Sequence, residues 1–184
     1  CWVWFEAGTA PDWDVTVTSP DGYKTVAGVF SETKIDIGSS QLVPHLDALK
    51  GDVADLGAGW GYLSREILTH EGVTRLDMIE ADKAALDCAV INTNDARARP
   101  VWTDALTFSG GPYDIVVSNP PFHTTRAGDP DLGKGFIATA ARILKPLGAL
   151  LMVDNRHLPY EAELDAQFAR VEALAGTGAC KIFP

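Results

Sequence analysis

Long apolar runs are missing from this chain of 184 residues. No stretch approaches the roughly 18 residues that span a bilayer, and the start lacks the basic, apolar, small-residue layout of a secretion signal. The expected address is the cytoplasm, with no membrane partner. Cysteine is scarce: Cys1, Cys88 and Cys180 form an odd, widely spaced set with no Cys-x-x-Cys and no nearby histidine pair. This argues against a disulfide framework and a zinc site, so the cysteines read as reduced thiols and no metal is expected. Histidines 45, 70, 123 and 157 are equally dispersed, and only His123 and His157 fall beside motifs. Positive charge is in deficit, with 15 Lys and Arg against 25 Asp and Glu and a formal net charge of -10. A chain that acidic is not, taken whole, a phosphate-binding surface, because nucleic-acid affinity rests on basic side chains displacing counterions. A nucleic-acid substrate needs a local positive field or one supplied from elsewhere. A starting methionine is absent too, the chain opening Cys-Trp-Val-Trp. The expectation is a fragment or processed chain, with an N-terminal partner domain missing.

What is present is enough for one core. At 46% hydrophobic and 22% charged residues, with glycine and proline scattered, the composition is that of a globular domain, and the length is too short for two ordinary ones. Val15–Thr18 and Tyr23–Val26 flank the turn-forming Ser19-Pro20-Asp21-Gly22 and predict a small hairpin. Leu42, Val43, Leu46 and Leu49 predict a packing helix over 39–49. From Asp52 onward strand and helix alternate. Strands are expected at 53–56, 75–80, 100–103, 113–118 and 149–154, and helices at 62–69, 82–92, 131–144 and 160–168. A closing strand pair is expected at 171–174 and 179–183. Asp129-Pro130 is placed to start the long helix and Lys145-Pro146-Leu147-Gly148 to end it. Such alternation predicts an α/β, doubly wound, mostly parallel sheet that binds ligands outside the carboxyl ends of its strands.

Two strand ends carry chemistry. Asp55-Leu56-Gly57-Ala58-Gly59-Trp60-Gly61 opens a strand into a glycine turn and a helix, so backbone can approach a ligand closely. Its third glycine falls one position earlier than the dinucleotide fingerprint requires, which disfavours a nicotinamide cofactor and suits one without a pyrophosphate. Glu80 ends the next strand, where a carboxylate accepts from both ribose hydroxyls or is simply a solvated acid. Asp104 ends the third strand and accepts from an adenine amine or caps a turn. Asn119-Pro120-Pro121-Phe122 follows the apolar run Ile115-Val116-Val117. An exocyclic amine is a poor nucleophile because its lone pair is delocalised into the ring. The Asn119 side-chain oxygen and the Pro120 carbonyl can each take one N–H and aim that lone pair at an electrophilic methyl, while the prolines fix the backbone and Phe122 stacks on the base. Catalysis would then be positioning, with no required general base. The plainer alternative is a turn, since Asn-Pro commonly starts one.

The glycine-turn segment resembles motif I of class I S-adenosylmethionine-dependent methyltransferases, and Asn119-Pro120-Pro121-Phe122 resembles their amino-group motif. With Phe122-His123, Gly28-Val29-Phe30-Ser31 and the 155–161 segment, residues 25–184 are similar to the bacterial small-subunit rRNA guanine-N2 methyltransferases. The resemblance implies a seven-stranded Rossmann-like sheet with an antiparallel closing strand. It implies S-adenosylmethionine held by Asp55, Gly57, Gly59, Gly61, Glu80, Ala81, Asp104, Ala105 and Asn119. It implies catalysis by Asn119, Pro120 and Phe122, and substrate contacts from Phe122, His123, Arg126 and Arg156, with His157 beside them. Phe30 and Lys34 are placed either to close over the cofactor or to serve as hairpin packing and a solvated charge. The implied partner is ribosomal RNA or the small ribosomal subunit; the chain itself is expected to be a monomer. Residues 1–37 are expected to be a hairpin and linker, either the remnant of an N-terminal domain or the start of a single-domain relative, and 38–184 the methyltransferase domain. Adenine N6, a protein glutamine amide and a non-catalytic binding module remain alternatives, since the same acceptor pair fits any planar NH2.

Overall fold

The computed structural model describes residues 16–18, 21–47, 49–121, 130–155, 160–173, 175–176 and 180–183. In chain order the elements are β1 (Thr16–Thr18), β2 (Lys24–Val26), α1 (Ile37–Leu42), β3 (Gly51–Leu56), α2 (Tyr62–Leu68), β4 (Val73–Glu80) and α3 (Lys83–Thr93). They continue with β5 (Ala98–Trp102), β6 (Tyr113–Ser118), α4 (Pro130–Ile143), β7 (Leu144–Asn155), α5 (Glu161–Gln167), β8 (Ala175–Gly176) and β9 (Cys180–Phe183). Strands β5, β4, β3, β6 and β7 lie side by side and parallel. Beyond β7, β9 pairs antiparallel and β8 pairs antiparallel with β9.

The period-two alternation of the strands sorts the core into two layers. Val53, Val117, Leu151 and Val153 face one side and pack with Leu42, Leu63, Ile67 and Leu86 from α1, α2 and α3. Ala54, Leu56, Val116, Leu150 and Met152 face the other and pack with Phe136, Ile137, Ala140 and Leu164 from α4 and α5. Both faces of the sheet are therefore covered by helices, and the strands' carboxyl ends meet at one edge. The β1–β2 hairpin is fastened to this body by Asn92, which accepts from the Lys24 N–H at 2.7 Å and donates to the Lys24 and Trp60 carbonyls. Tyr23 packs edge-on against Trp60 and Tyr62, with the Arg65 guanidinium 4.7 Å from its ring centre.

Three boundaries differ from the sequence expectation. The helix expected over 39–49 is instead α1, followed by a single 3-10 turn at Val43–His45. Pro44 has no N–H to give to Ser40 and ends the α-helical ladder. The start moves upstream because Asp36 accepts from the Ser39 N–H and caps the helix. Residues 145–148 do not form a turn outside the sheet: α4 ends at Ile143, and these residues lie within β7. The register jumps from Tyr113↔Leu144 to Ile115↔Ala149, so they form an irregularity in the ladder, with Leu147 at φ 67° and fully exposed. The first closing strand lies at Ala175–Gly176 rather than 171–174.

Candidate active site

The glycine turn and the amino-group motif are brought together by strand pairing. Leu56 of β3 lies opposite Ser118 of β6, and the buried Ser118 hydroxyl donates to the Leu56 carbonyl at 2.7 Å. Gly57 and Asn119 therefore leave the sheet as neighbours. Ser118 was not anticipated as part of this arrangement; only its place directly before Asn119 signals it.

Two cavities open at this edge and share Phe30, Gly57, Gly59 and Asn119. The larger, about 240 Å³, has an apolar wall of Ile79, Ala105, Leu132 and Phe136, with Glu80 and Asp104 on its polar side. Ala81, Pro120 and Pro121 complete its rim. The smaller, about 50 Å³, reaches Asp36 and Ser39. Phe30 is well exposed, and its carbonyl accepts from the Trp60 indole N–H at 2.9 Å, which ties the 28–31 loop to the glycine turn. Lys34 lines neither cavity, so the two residues expected to act together over the crevice part company.

The three glycines of the turn do different work. All have positive φ, at 82°, 53° and 89° for Gly57, Gly59 and Gly61. A Cβ on Gly59 would meet nothing, so open space lies in front of it, whereas one on Gly57 would come within 3.0 Å of the Phe136 ring. Gly61 lines neither cavity: it precedes α2, and a Cβ there would lie 2.8 Å from the Ala89 Cα of α3. Its absence of side chain makes room for α3. The Gly59 N–H donates to Glu80 Oε2 at 2.8 Å, and the Asp82 N–H donates to Oε1 at 2.8 Å. Each carboxylate oxygen keeps a lone pair for another donor.

Asp55 also lines neither cavity. The pleat turns it under the glycine turn, fully buried, where Oδ2 accepts from the Ser64 hydroxyl at 2.6 Å. Oδ1 has no partner among the described residues. Burial pushes its pKa up to about 7, the Glu80 charge adds to the rise, and the Ser64 hydrogen bond opposes it. Asp104 has both expected roles open to it: Oδ1 accepts from the Leu106 N–H at 2.9 Å as a turn cap, and the residue also lines the larger cavity beside Ala105.

Asn119 donates both Nδ2 hydrogens, to Asp36 Oδ2 at 2.8 Å and to Ser39 Oγ at 2.7 Å. Its Oδ1 is buried and has no partner among the described residues. Asp36 and Ser39 lie outside the expected site because the sequence expectation starts the helix too late; an N-cap aspartate at 36 is a local signal, whereas its reach to Asn119 is not. Leu132 and Phe136 of α4 line the larger cavity with no sequence signal beyond helical spacing. Phe122, His123, Arg126, Arg156 and His157 lie outside the described residues. Among the described residues no group of three or more His, Cys, Asp or Glu side chains could hold a metal, and no helix is long and apolar enough to cross a membrane.

The family model of the methyltransferase small domain matches residues 22–184. A ribosomal RNA small subunit methyltransferase C from Shewanella oneidensis is 32% identical over 182 residues, covering 95% of this chain and 53% of that protein. Another, from Shewanella baltica, is 30% identical over 188 residues, covering 96% and 54%. The chain thus spans about half the length of the curated relatives it matches. Among solved structures, the T. thermophilus 16S rRNA N2 methyltransferase RsmC in complex with AdoMet and guanosine aligns with a TM-score of 0.76 at 28% identity, over 88% of this chain and 46% of that one. TrmN from Thermus thermophilus, with a TM-score of 0.60 and 21% identity over 79% of this chain and 46% of that one, shares the fold. With the match running through both strand-end motifs, the chain belongs to the methyltransferase small domain family.

Proposed function

We propose that this chain is the catalytic unit of an S-adenosylmethionine-dependent methyltransferase acting on the exocyclic N2 amine of a guanine in small-subunit ribosomal RNA. The observation that carries the reading is the Asn119 carboxamide: its two hydrogens are taken up within the protein and its oxygen has no partner among the described residues at the strand end that borders the crevice. A buried acceptor without a partner costs roughly 1–3 kcal/mol, which an amine hydrogen would recover on binding.

The residues at the crevice fit an adenosyl cofactor. Apolar side chains of Ile79, Ala105 and Leu132 suit a purine, the Glu80 lone pairs suit a ribose diol, and the open space at Gly59 admits close approach. S-adenosylmethionine supplies the electrophilic methyl when bound. Asn119 Oδ1 and the Pro120 carbonyl then hold the two amine hydrogens and point the nitrogen lone pair at it. Phe122, His123, Arg126 and Arg156 remain the proposed contacts to base and phosphate. The homologues named for the small-subunit rRNA and the guanosine in the similar solved structure support guanine as acceptor. We further propose that the chain acts in the cytoplasm as a monomer, on rRNA or the small subunit.

The test is to incubate the chain with methyl-labelled S-adenosylmethionine and small-subunit rRNA, naked and assembled, then digest and identify the labelled nucleoside. N2-methylguanosine is expected. Label in N6-methyladenosine, or only in hydrolysed protein, would overturn the assignment of the acceptor.

A further inference from the structure

We propose that Asp36 and Ser39 are positioning residues for methyl transfer: they hold the Asn119 carboxamide in the one rotation that presents its oxygen, rather than its NH2, to the target amine. This rests on the amine-acceptor role proposed for Asn119.

A carboxamide has two ends of nearly the same shape and opposite hydrogen-bonding character. Turned by half a rotation, Asn119 would set a donor against the donors of the amine, and nothing would aim the nitrogen lone pair. An asparagine after a strand does not by itself choose between the two. Here the choice is made by residues about 80 positions upstream. An ionised carboxylate accepts only, so the end of the amide 2.8 Å from Asp36 Oδ2 has to be the NH2. Ser39 Oγ accepts the second hydrogen at 2.7 Å, which leaves the amide no free donor.

The device is economical in atoms. The same Asp36 Oδ2 that accepts from Asn119 also accepts the Ser39 N–H at 2.9 Å, so the cap of α1 and the clamp on Asn119 share one oxygen. Gly38 makes room between them: a Cβ there would lie 3.0 Å from Asp36 Oδ2 and 3.6 Å from both ends of the amide. Ser39 is itself buried, which keeps water from competing for the amide hydrogens.

Asp36→Asn separates clamp from cap, because asparagine caps a helix as well as aspartate but can turn either amide end toward Asn119. The expected result is a fall in kcat of about ten- to a hundredfold on small-subunit rRNA, the loss of one charge-assisted hydrogen bond, with S-adenosylmethionine affinity by calorimetry held within about threefold. Ser39→Ala should lower kcat less, by about three- to tenfold. A reciprocal pair supplies a readout that a capping role does not move. Asn119→Asp sets two carboxylates in contact. Adding Asp36→Asn to it restores a donor facing an acceptor and leaves the second oxygen of the introduced carboxylate for the amine, so the double variant should recover at least about tenfold in kcat over Asn119→Asp. Additive losses in the double variant overturn the inference, as does a cofactor affinity that falls in step with kcat. Asn119→Ala keeps the two proposals apart. If it turns over normally, the amine-acceptor reading itself is wrong. If it is dead while Asp36→Asn and Ser39→Ala keep full kcat, only the positioning inference is wrong.

Discussion

Asp55 and Asp114 sit on adjacent strands of one sheet and are driven in opposite directions. Asp55, toward the carboxyl edge, is fully buried with one oxygen unpartnered, and burial pushes its pKa up to about 7. Asp114, at the amino edge, accepts from Lys145 at 2.7 Å and from the Asp52 N–H at 2.8 Å, which hold its carboxyl below the usual range. The edges differ in the same way throughout. At the amino edge Arg75 pairs with Asp52 at 3.3 Å, Tyr113 donates to Asp77 at 2.6 Å, and the two atoms left over, Arg75 Nε and Asp77 Oδ1, sit 3.8 Å apart. At the carboxyl edge Asn119 and Asp55 each keep a buried oxygen without a partner among the described residues. Charge at one edge holds strands together, and at the other two buried acceptors stay unpaired among the described residues, that of Asn119 beside the crevice. A fold that is stabilised at one end can tolerate unsatisfied groups at the other.

The largest test of this contrast is on stability at Asp55. Its folded pKa lies above the unfolded value of 3.8, so between roughly pH 4 and pH 7 the folded chain binds more protons than the unfolded one. The stability that Asp55 contributes is present below pH 4, is lost as pH rises through about 7, and stays lost above it. Asp55→Asn keeps an oxygen for Ser64 and removes the titration. Denaturant melts of both chains at several pH values should show the variant gaining about 2–3 kcal/mol on the parent between pH 5 and pH 8. A difference that does not change with pH would mean that Asp55 is not buried as a lone acid, and the contrast with Asp114 would fail.

How far the sequence alone reaches follows the same division. Period-two strands and glycine or proline punctuation are local signals, and they place β6 at 113–118 as the structure has it and the start of α3 within one residue. The strand-end motifs are legible because a glycine turn and Asn-Pro-Pro are themselves local. What escapes is non-local. That Gly61 serves Ala89 of α3, that Ser118 ties to Leu56, and that Asp36 reaches Asn119 all depend on segments 28 to 83 positions apart meeting in space. Pro44 carried a readable signal, since it ends α1 by chemistry visible in the sequence, but the apolar spacing of Leu46 and Leu49 ran past it.

Next in size is a contrast between two glycines of one turn. Gly61→Ala places a methyl against the backbone of α3 and strains a residue at φ 89°, so it should cost about 2–3 kcal/mol in thermal or denaturant unfolding. Gly59→Ala, at φ 53° with open space before it, should cost only about 1 kcal/mol in stability. Its methyl enters the crevice, and S-adenosylmethionine affinity by calorimetry should fall about tenfold. The reverse pattern, with cofactor affinity lost at 61 and stability lost at 59, would place the ligand on the α3 side of the turn.

The smallest effect belongs to the amino edge, and its smallness is informative. Lys145 and Asp114 are each more than a third exposed, so solvent screens the pair, and Lys145→Met should cost less than about 1 kcal/mol at neutral pH. Because the Asp114 pKa is depressed, that contribution exists above the ordinary carboxylate range and disappears as the pH falls through the folded value. Parent and variant should therefore converge in acid, whereas parent and Asp55→Asn diverge as the pH rises. Turnover should not change in the Lys145→Met variant, since the lysine stands at the opposite end of the strands from Asn119. If turnover fell with stability intact, the amino edge would have to carry part of the site, and the division of labour between the two edges would be wrong.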